Sequence, residues 1–231
     1  TNVISSSLFG VHGAVDNEAD TSWDFVRDAS NFQVYAARDE ITSDNARFTL
    51  TGTVGGFVPE LQSPLFEGVY DNTHWNLAVR IKPEQYPWAG AVVGSSDNYT
   101  VELHGVQLDA GIIQNEFTVS GTIDSPAAGF VSGSKRVYVG AHRTNFTGAL
   151  LQPSDVKIDA CRYWLDYLDD KTLAGHAYDT QNYGSLNPHY YAFPFASASF
   201  GEVLQADTLV FNWEFSANTG SNASGQFRVA D

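Results

Sequence analysis

The sequence predicts an all-β protein, a two-sheet antiparallel β-sandwich with one short helix near the C-terminal end of the sandwich. Three observations carry this. Apolar residues recur at every second position in short runs, as strands with one buried face require. Turn formers separate the runs, at Gly55-Gly56, Ser95-Ser96-Asp97-Asn98, Asp124-Ser125-Pro126 and Ser132-Gly133-Ser134, the punctuation of many short antiparallel strands. One stretch, opening at Asp169-Asp170, reads convincingly as a helix.

Taken in chain order, Phe32-Gln33-Val34-Tyr35 is expected to supply an edge strand or two for the N-terminal part. Phe48 and Leu50 then alternate with Arg47, Thr49 and Thr51, and Leu77, Val79 and Ile81 with Asn76, Ala78 and Arg80. Tyr99, Val101 and Leu103 alternate with Thr100, Glu102 and His104, and Phe117 and Val119 with Thr118 and Ser120. Val137 and Val139 flank Tyr138. Late in the chain Leu209, Phe211, Trp213 and Phe215 alternate with Val210, Asn212 and Glu214. For the helix, Asp169-Asp170 can cap and complement an N-terminus, and Leu173 with Ala177 would cover one face. Gly175 weakens it, so about two turns are expected. A weaker helical candidate surrounds Trp23-Asp24-Phe25-Val26-Arg27.

Composition narrows the function. A net charge of −15, with 12 basic residues scattered singly among 27 acids, leaves no basic face to release counterions from phosphates. Nucleic acid and anionic membrane surfaces are therefore not expected partners. No apolar run approaches the length of a membrane span, so no membrane insertion is expected. The chain has no methionine and starts on TNVISSSLFG without a basic then apolar leader. It reads as a segment of a longer polypeptide. The single cysteine, Cys161, cannot pair within the chain and sits among core-like residues, where it reads as a small buried hydrophobe.

The stretch Arg136-Val-Tyr-Val-Gly140-Ala-His-Arg-Thr-Asn-Phe146-Thr-Gly148 leads through Val156-Lys-Ile158-Asp-Ala-Cys-Arg162-Tyr163-Trp164 to Leu168-Asp-Asp-Lys-Thr-Leu173-Ala-Gly-His176. This resembles the closing signature of laminin-G-like, concanavalin A-like lectin domains: a strand, a glycine, a second strand and a short helix. Tyr70-Asp71-Asn72-Thr73-His74-Trp75-Asn76-Leu77-Ala78-Val79-Arg80 and Val101-Glu102-Leu103-His104-Gly105 resemble two earlier strands of the same family. Together these cover about residues 45–180. The resemblance implies a jelly roll, with residues 1–188 as one laminin-G-like domain. Residues 189–231 are then an aromatic connector and either a closing strand or the start of a second similar domain.

Catalysis fails the direct tests on sequence. A glycosidase of this fold needs two carboxyl groups roughly 5–9 Å apart, and no run of acids at alternate positions supplies them. Asp155 and Asp159, read as sharing a strand face, would lie about 13 Å apart at strand rise. There is no G-x-S-x-G elbow, and the six histidines lack zinc-ligand spacing and read as surface or half-buried residues. No enzyme activity is expected.

The ion that the resemblance implies is calcium, which needs hard oxygen ligands. Asp16, Glu18 and Asp20 are the candidates, with Asp39, Glu40 and Asp44 further on. Trp88, in a Pro-bearing loop, is the candidate for stacking on a glycan. The aromatic run containing Tyr190, Tyr191, Phe193 and Phe195 should dock on something, because so apolar a stretch is poorly solvated. Its own sandwich, a neighbouring domain and a subunit of the same assembly are all open. The expected function is a non-catalytic structural or adhesion module of a large virion or other surface protein, extracellular or on the virion surface. The alternatives are a carbohydrate-binding module and, further off, a glycan-cleaving enzyme.

Overall fold

The computed structural model describes residues 4–13, 31–52, 58–83, 98–123, 135–140, 142–143, 150–152, 154–179 and 208–215. Strands dominate them, and one short helix is present. The described residues of 1–73, 77–105 and 116–157 form one compact unit, and those of 74–76, 106–115 and 158–231 a second.

In the first unit, β1 (Ser5–Gly13), β2 (Asn31–Arg38), β3 (Ala46–Thr51), β4 (Leu61–Gln62) and β8 (Lys135–Val139) make an antiparallel sheet in the order β4-β3-β2-β1-β8. β5 (His74–Pro83), β6 (Tyr99–Asp109) and β7 (Ile112–Ile123) form a three-stranded sheet in that order. A two-stranded pairing joins β9 (His142–Arg143) and β10 (Leu150–Gln152).

Within the first unit the two larger sheets pack face to face, and three phenylalanines mark the seam. Phe48 of β3 stacks on Phe117 of β7 with centroids 5.8 Å apart. Phe66 closes the cluster at 5.4 Å from Phe117 and 6.3 Å from Phe48. Two glycines make room for these side chains. A Cβ on Gly105 of β6 would overlap the ring of Phe117 and lie 2.8 Å from Leu77 Cδ2, both on neighbouring strands of the same sheet, and one on Gly121 of β7 would lie 2.8 Å from Pro59 Cγ, in the segment before β4. The alternation read at Phe48 and Leu50, and at Tyr99, Val101 and Leu103, is the alternation that fills this core: all five are buried.

The pattern misleads at three places. β2 was expected at an edge but lies inside its sheet between β1 and β3. Asn31, Phe32, Gln33 and Val34 are all buried, so the first half of β2 shows no dry-wet alternation, which begins only at Tyr35. In β5 and β6 the positions expected to be wet, Arg80, Glu102 and His104, are buried too. Period two says which residues share a face, and the face beside the core one is here also covered. In β8 it is Tyr138, not its flanking valines, that is buried.

The second unit contains β11 (Ala160–Trp164) paired antiparallel with β12 (Leu209–Glu214), and helix α1 (Asp170–Tyr178). The helix forms where expected. Asp169 caps it, its Oδ1 accepting from the Thr172 backbone N–H at 2.8 Å and the Thr172 hydroxyl at 2.6 Å. Leu173 and Ala177 are buried on one stripe with Thr172 and His176. The strand read from Leu209 returns to pair with β11, so Cys161 lies opposite Trp213 and Tyr163 opposite Phe211.

The β6–β7 hairpin turns through Ala110 and Gly111 with φ of 49° and 76°. Two left-handed residues define the turn type that prefers Asn-Gly, and alanine in that region is strained. Ala110→Asn is therefore expected to raise stability by about 0.5–1 kcal/mol, read as an increased urea midpoint at unchanged slope.

Candidate functional site

The described residues bring chemistry-bearing side chains together at three places, each within one unit. The first lies in the first unit, where Ser6 of β1, Arg38 at the end of β2, Tyr70 and Asp155 converge. Ser6 donates its hydroxyl to Asp155 Oδ1. Tyr70 donates to Ser6 Oγ at 2.9 Å, with the Ala36 carbonyl at 3.2 Å. Arg38, 5% exposed, reaches Asp155 Oδ2 at 3.2 Å and the Ser43 carbonyl. Its guanidinium carbon sits 3.3 Å above the Tyr70 ring, a cation–π contact. Burial pushes the Tyr70 hydroxyl up from the ordinary phenol range, so it stays a donor.

A serine between a carboxylate and a phenol has the ingredients of an activated nucleophile. Ser6 has no accessible surface, however, and no substrate atom reaches it. The cluster acts as a clasp, fixing the chain after β10 onto β1 and β2. Asp155→Ala is expected to cost about 2–4 kcal/mol, because it strips a buried guanidinium of its carboxylate. The lower end applies because the Asp155 side chain is 20% exposed. Chemical denaturation checks it, and Asp155→Asn, which keeps an acceptor, should lose less.

The second cluster lies on β5 and β6. Glu102 takes Arg80 Nη2 on Oε2 at 2.9 Å and Lys82 Nζ on Oε1 at 2.8 Å. Both carboxylate oxygens are thereby engaged by cations, which is how a buried charge becomes tolerable. His104, fully buried, has Nδ1 2.8 Å from Thr118 Oγ1 and Nε2 3.9 Å from Glu116 Oε1.

The third lies in the second unit. Arg162 of β11 donates Nε to Asn212 Oδ1 at 2.6 Å and Nη2 to Glu214 Oε1 at 3.0 Å, both on β12. On the other face of this ribbon Tyr163 stacks on Phe211 at 5.9 Å, and Phe211 on Trp213 at 4.3 Å. Burial pushes the Cys161 thiol up to about 12. It is therefore protonated at neutral pH and inert as a nucleophile. Trp164 stacks on His176 of α1 with centroids 5.3 Å apart.

No protein-family model, curated protein or solved structure matches the chain. The site must therefore be read from its own chemistry.

Asp16, Glu18 and Asp20, Trp88, and Tyr190, Tyr191, Phe193 and Phe195 all lie outside the described residues, as does the helical candidate around Trp23. The neighbouring acids Asp39, Glu40 and Asp44 are described, and they shape the β2–β3 connection. Asp39 Oδ1 accepts from the Glu40 N–H at 2.9 Å, and a hydrogen bond from Ser43 foremost holds its carboxyl below the usual range. Asp44 lies 3.9 Å from Arg38.

Two readings are corrected. Asp155 and Asp159 do not share a strand face, because residues 154–159 are irregular and β11 begins at Ala160. Nor are the histidines uniformly surface residues, since His12, His104 and His176 are buried. Sequence reasoning missed Arg38 and Tyr70 as partners. The available signal was weak: an arginine ending an apolar strand, with its acid 117 residues away.

Proposed function

We propose that the chain is a laminin-G-like jelly roll serving as a non-catalytic structural or adhesion module of a larger virion or other surface protein. The carrying observation is that the chemistry-bearing clusters of the described residues are closed on themselves. Ser6 and Asp155 are bound to each other and to Tyr70 and Arg38. Glu102 is held by two cations, and the Cys161 thiol is protonated. Groups used up in this way hold a scaffold together; they do not turn over a substrate. The antiparallel layers of the first unit support the jelly-roll reading, as does the capped helix at the end of the family-like stretch. The charge of −15 suits a solvated exterior location.

On this reading the partners are neighbouring domains or subunits, met through the aromatic run at Tyr190, Tyr191, Phe193 and Phe195. Calcium bound at Asp16, Glu18 and Asp20 belongs to the same proposal as an accessory feature, whereas glycan stacked on Trp88 belongs to the alternative reading, a carbohydrate-binding module. A glycan array tests it. Capture no greater than on blank spots is expected. Saturable capture lost in Trp88→Ala would replace the structural reading with a carbohydrate-binding module.

A further inference from the structure

We propose that the seating of helix α1 on the β11–β12 ribbon is an acid-sensitive latch, closed while His176 is neutral and opened by its protonation. The argument starts from what surrounds the imidazole. His176 is 3% exposed and faces the Trp164 indole. Its Nε2 has no hydrogen-bond partner among the described residues, and neither has Trp164 Nε1. A proton added at Nε2 would create a buried N–H and a buried charge together, each costly without an acceptor.

The charged groups nearby make this worse. From β11, Arg162 is the charge that acts on His176, and it is already a cation. From β12, Glu214 is bound to Arg162 at 3.0 Å. On α1 itself Asp170 and Lys171 are exposed in the first turn, and Asp179 is exposed beyond the last. Burial first, and Arg162 second, lower the imidazole pKa to about 4.

The sign follows. The closed state holds His176 neutral down to about pH 4, while an opened, solvated imidazole takes its proton near 6.5. The latch is therefore fully effective above pH 6.5 and weakens as pH falls from 6.5 toward 4. Relative to pH 7, its opening equilibrium should rise about 20-fold at pH 5 and about 100-fold at pH 4. The contact at stake is the Trp164–His176 stack, which ties the helix to the ribbon.

Hydrogen exchange on the full chain tests this, with each rate corrected for the intrinsic effect of pH. Protection of the Leu173–Ala177 amides, taken relative to Phe48 and Leu50 of β3, should fall about 20-fold between pH 7 and pH 5. In His176→Phe, which keeps an aromatic ring against Trp164 but cannot be protonated, the ratio should stay flat. His176→Gln serves the same purpose if the phenylalanine variant does not fold. A flat ratio in the wild-type chain would overturn the latch, as would the same fall in the non-titrating variant.

Discussion

Phe117→Ala is expected to lower the unfolding free energy by about 3–5 kcal/mol, the range for removing a buried phenylalanine. The reason lies in where its ring sits. Phe117 is 7% exposed and touches both Phe48 and Phe66, so its loss empties the seam between the two sheets of the first unit. Aromatic contacts of this kind contribute about 0.5–1.5 kcal/mol beyond area burial. Gly105 lies against the same ring, and backbone on that side restricts collapse into the void. Phe117→Leu, which keeps most of the volume, should cost clearly less. Equilibrium unfolding in urea, followed by far-UV circular dichroism, measures both. A loss under 1 kcal/mol for the alanine variant would mean that the sheets do not meet through this ring.

Gly10→Ala is expected to be of similar size, though it adds an atom group where Phe117→Ala removes one. Gly10 lies on β1 opposite Gln33 of β2. The Gln33 side chain, buried, crosses the space a Cβ would fill, and donates Nε2 to Ser7 Oγ at 2.9 Å. An alanine Cβ would overlap Gln33 Oε1 and lie 2.7 Å from the Phe32 carbonyl oxygen. The side chain can swing away, but the carbonyl belongs to a central strand and cannot. Overpacking costs about 1–3 kcal/mol, and a buried amide forced off its partner adds about 1–3 kcal/mol more. The combined effect should lower the midpoint of thermal unfolding by roughly 10 °C for a chain of this size. Pairing Gly10→Ala with Gln33→Ala should recover part of the loss, because the second change removes the overlapping side chain.

The fold was legible in the sequence where one chemical signal had one meaning. Phe48, Leu50, Val101 and Leu103 alternate and are buried. Asp169 sits before Leu173 and Ala177, and it caps their helix. Legibility ended where both faces of a strand are covered. β2 is an inner strand that carries the polar residues Asn31 and Gln33, which a strand pattern alone would leave to solvent. Gln33 is instead bonded to Ser7, and Asn31 is buried beside Phe32. Arg80 and Glu102 look like outward charges in sequence, yet the Glu102 carboxylate holds both Arg80 and Lys82. A pairing of that kind depends on strand register, which composition does not encode. The Arg38–Asp155 contact is harder still, since it joins residues far apart in the chain. His176 is the opposite case. Its place on the helix could be read from spacing, but its burial depends on β11 bringing Trp164 against it.

On the proposed reading these polar clusters hold a non-catalytic scaffold together. Turnover is its most direct test: the purified chain incubated with a panel of polysaccharides, with new reducing ends and unsaturated products quantified over time. No release above a chain-free control is expected. Time-dependent release from any polysaccharide, proportional to the amount of chain added, would contradict that reading.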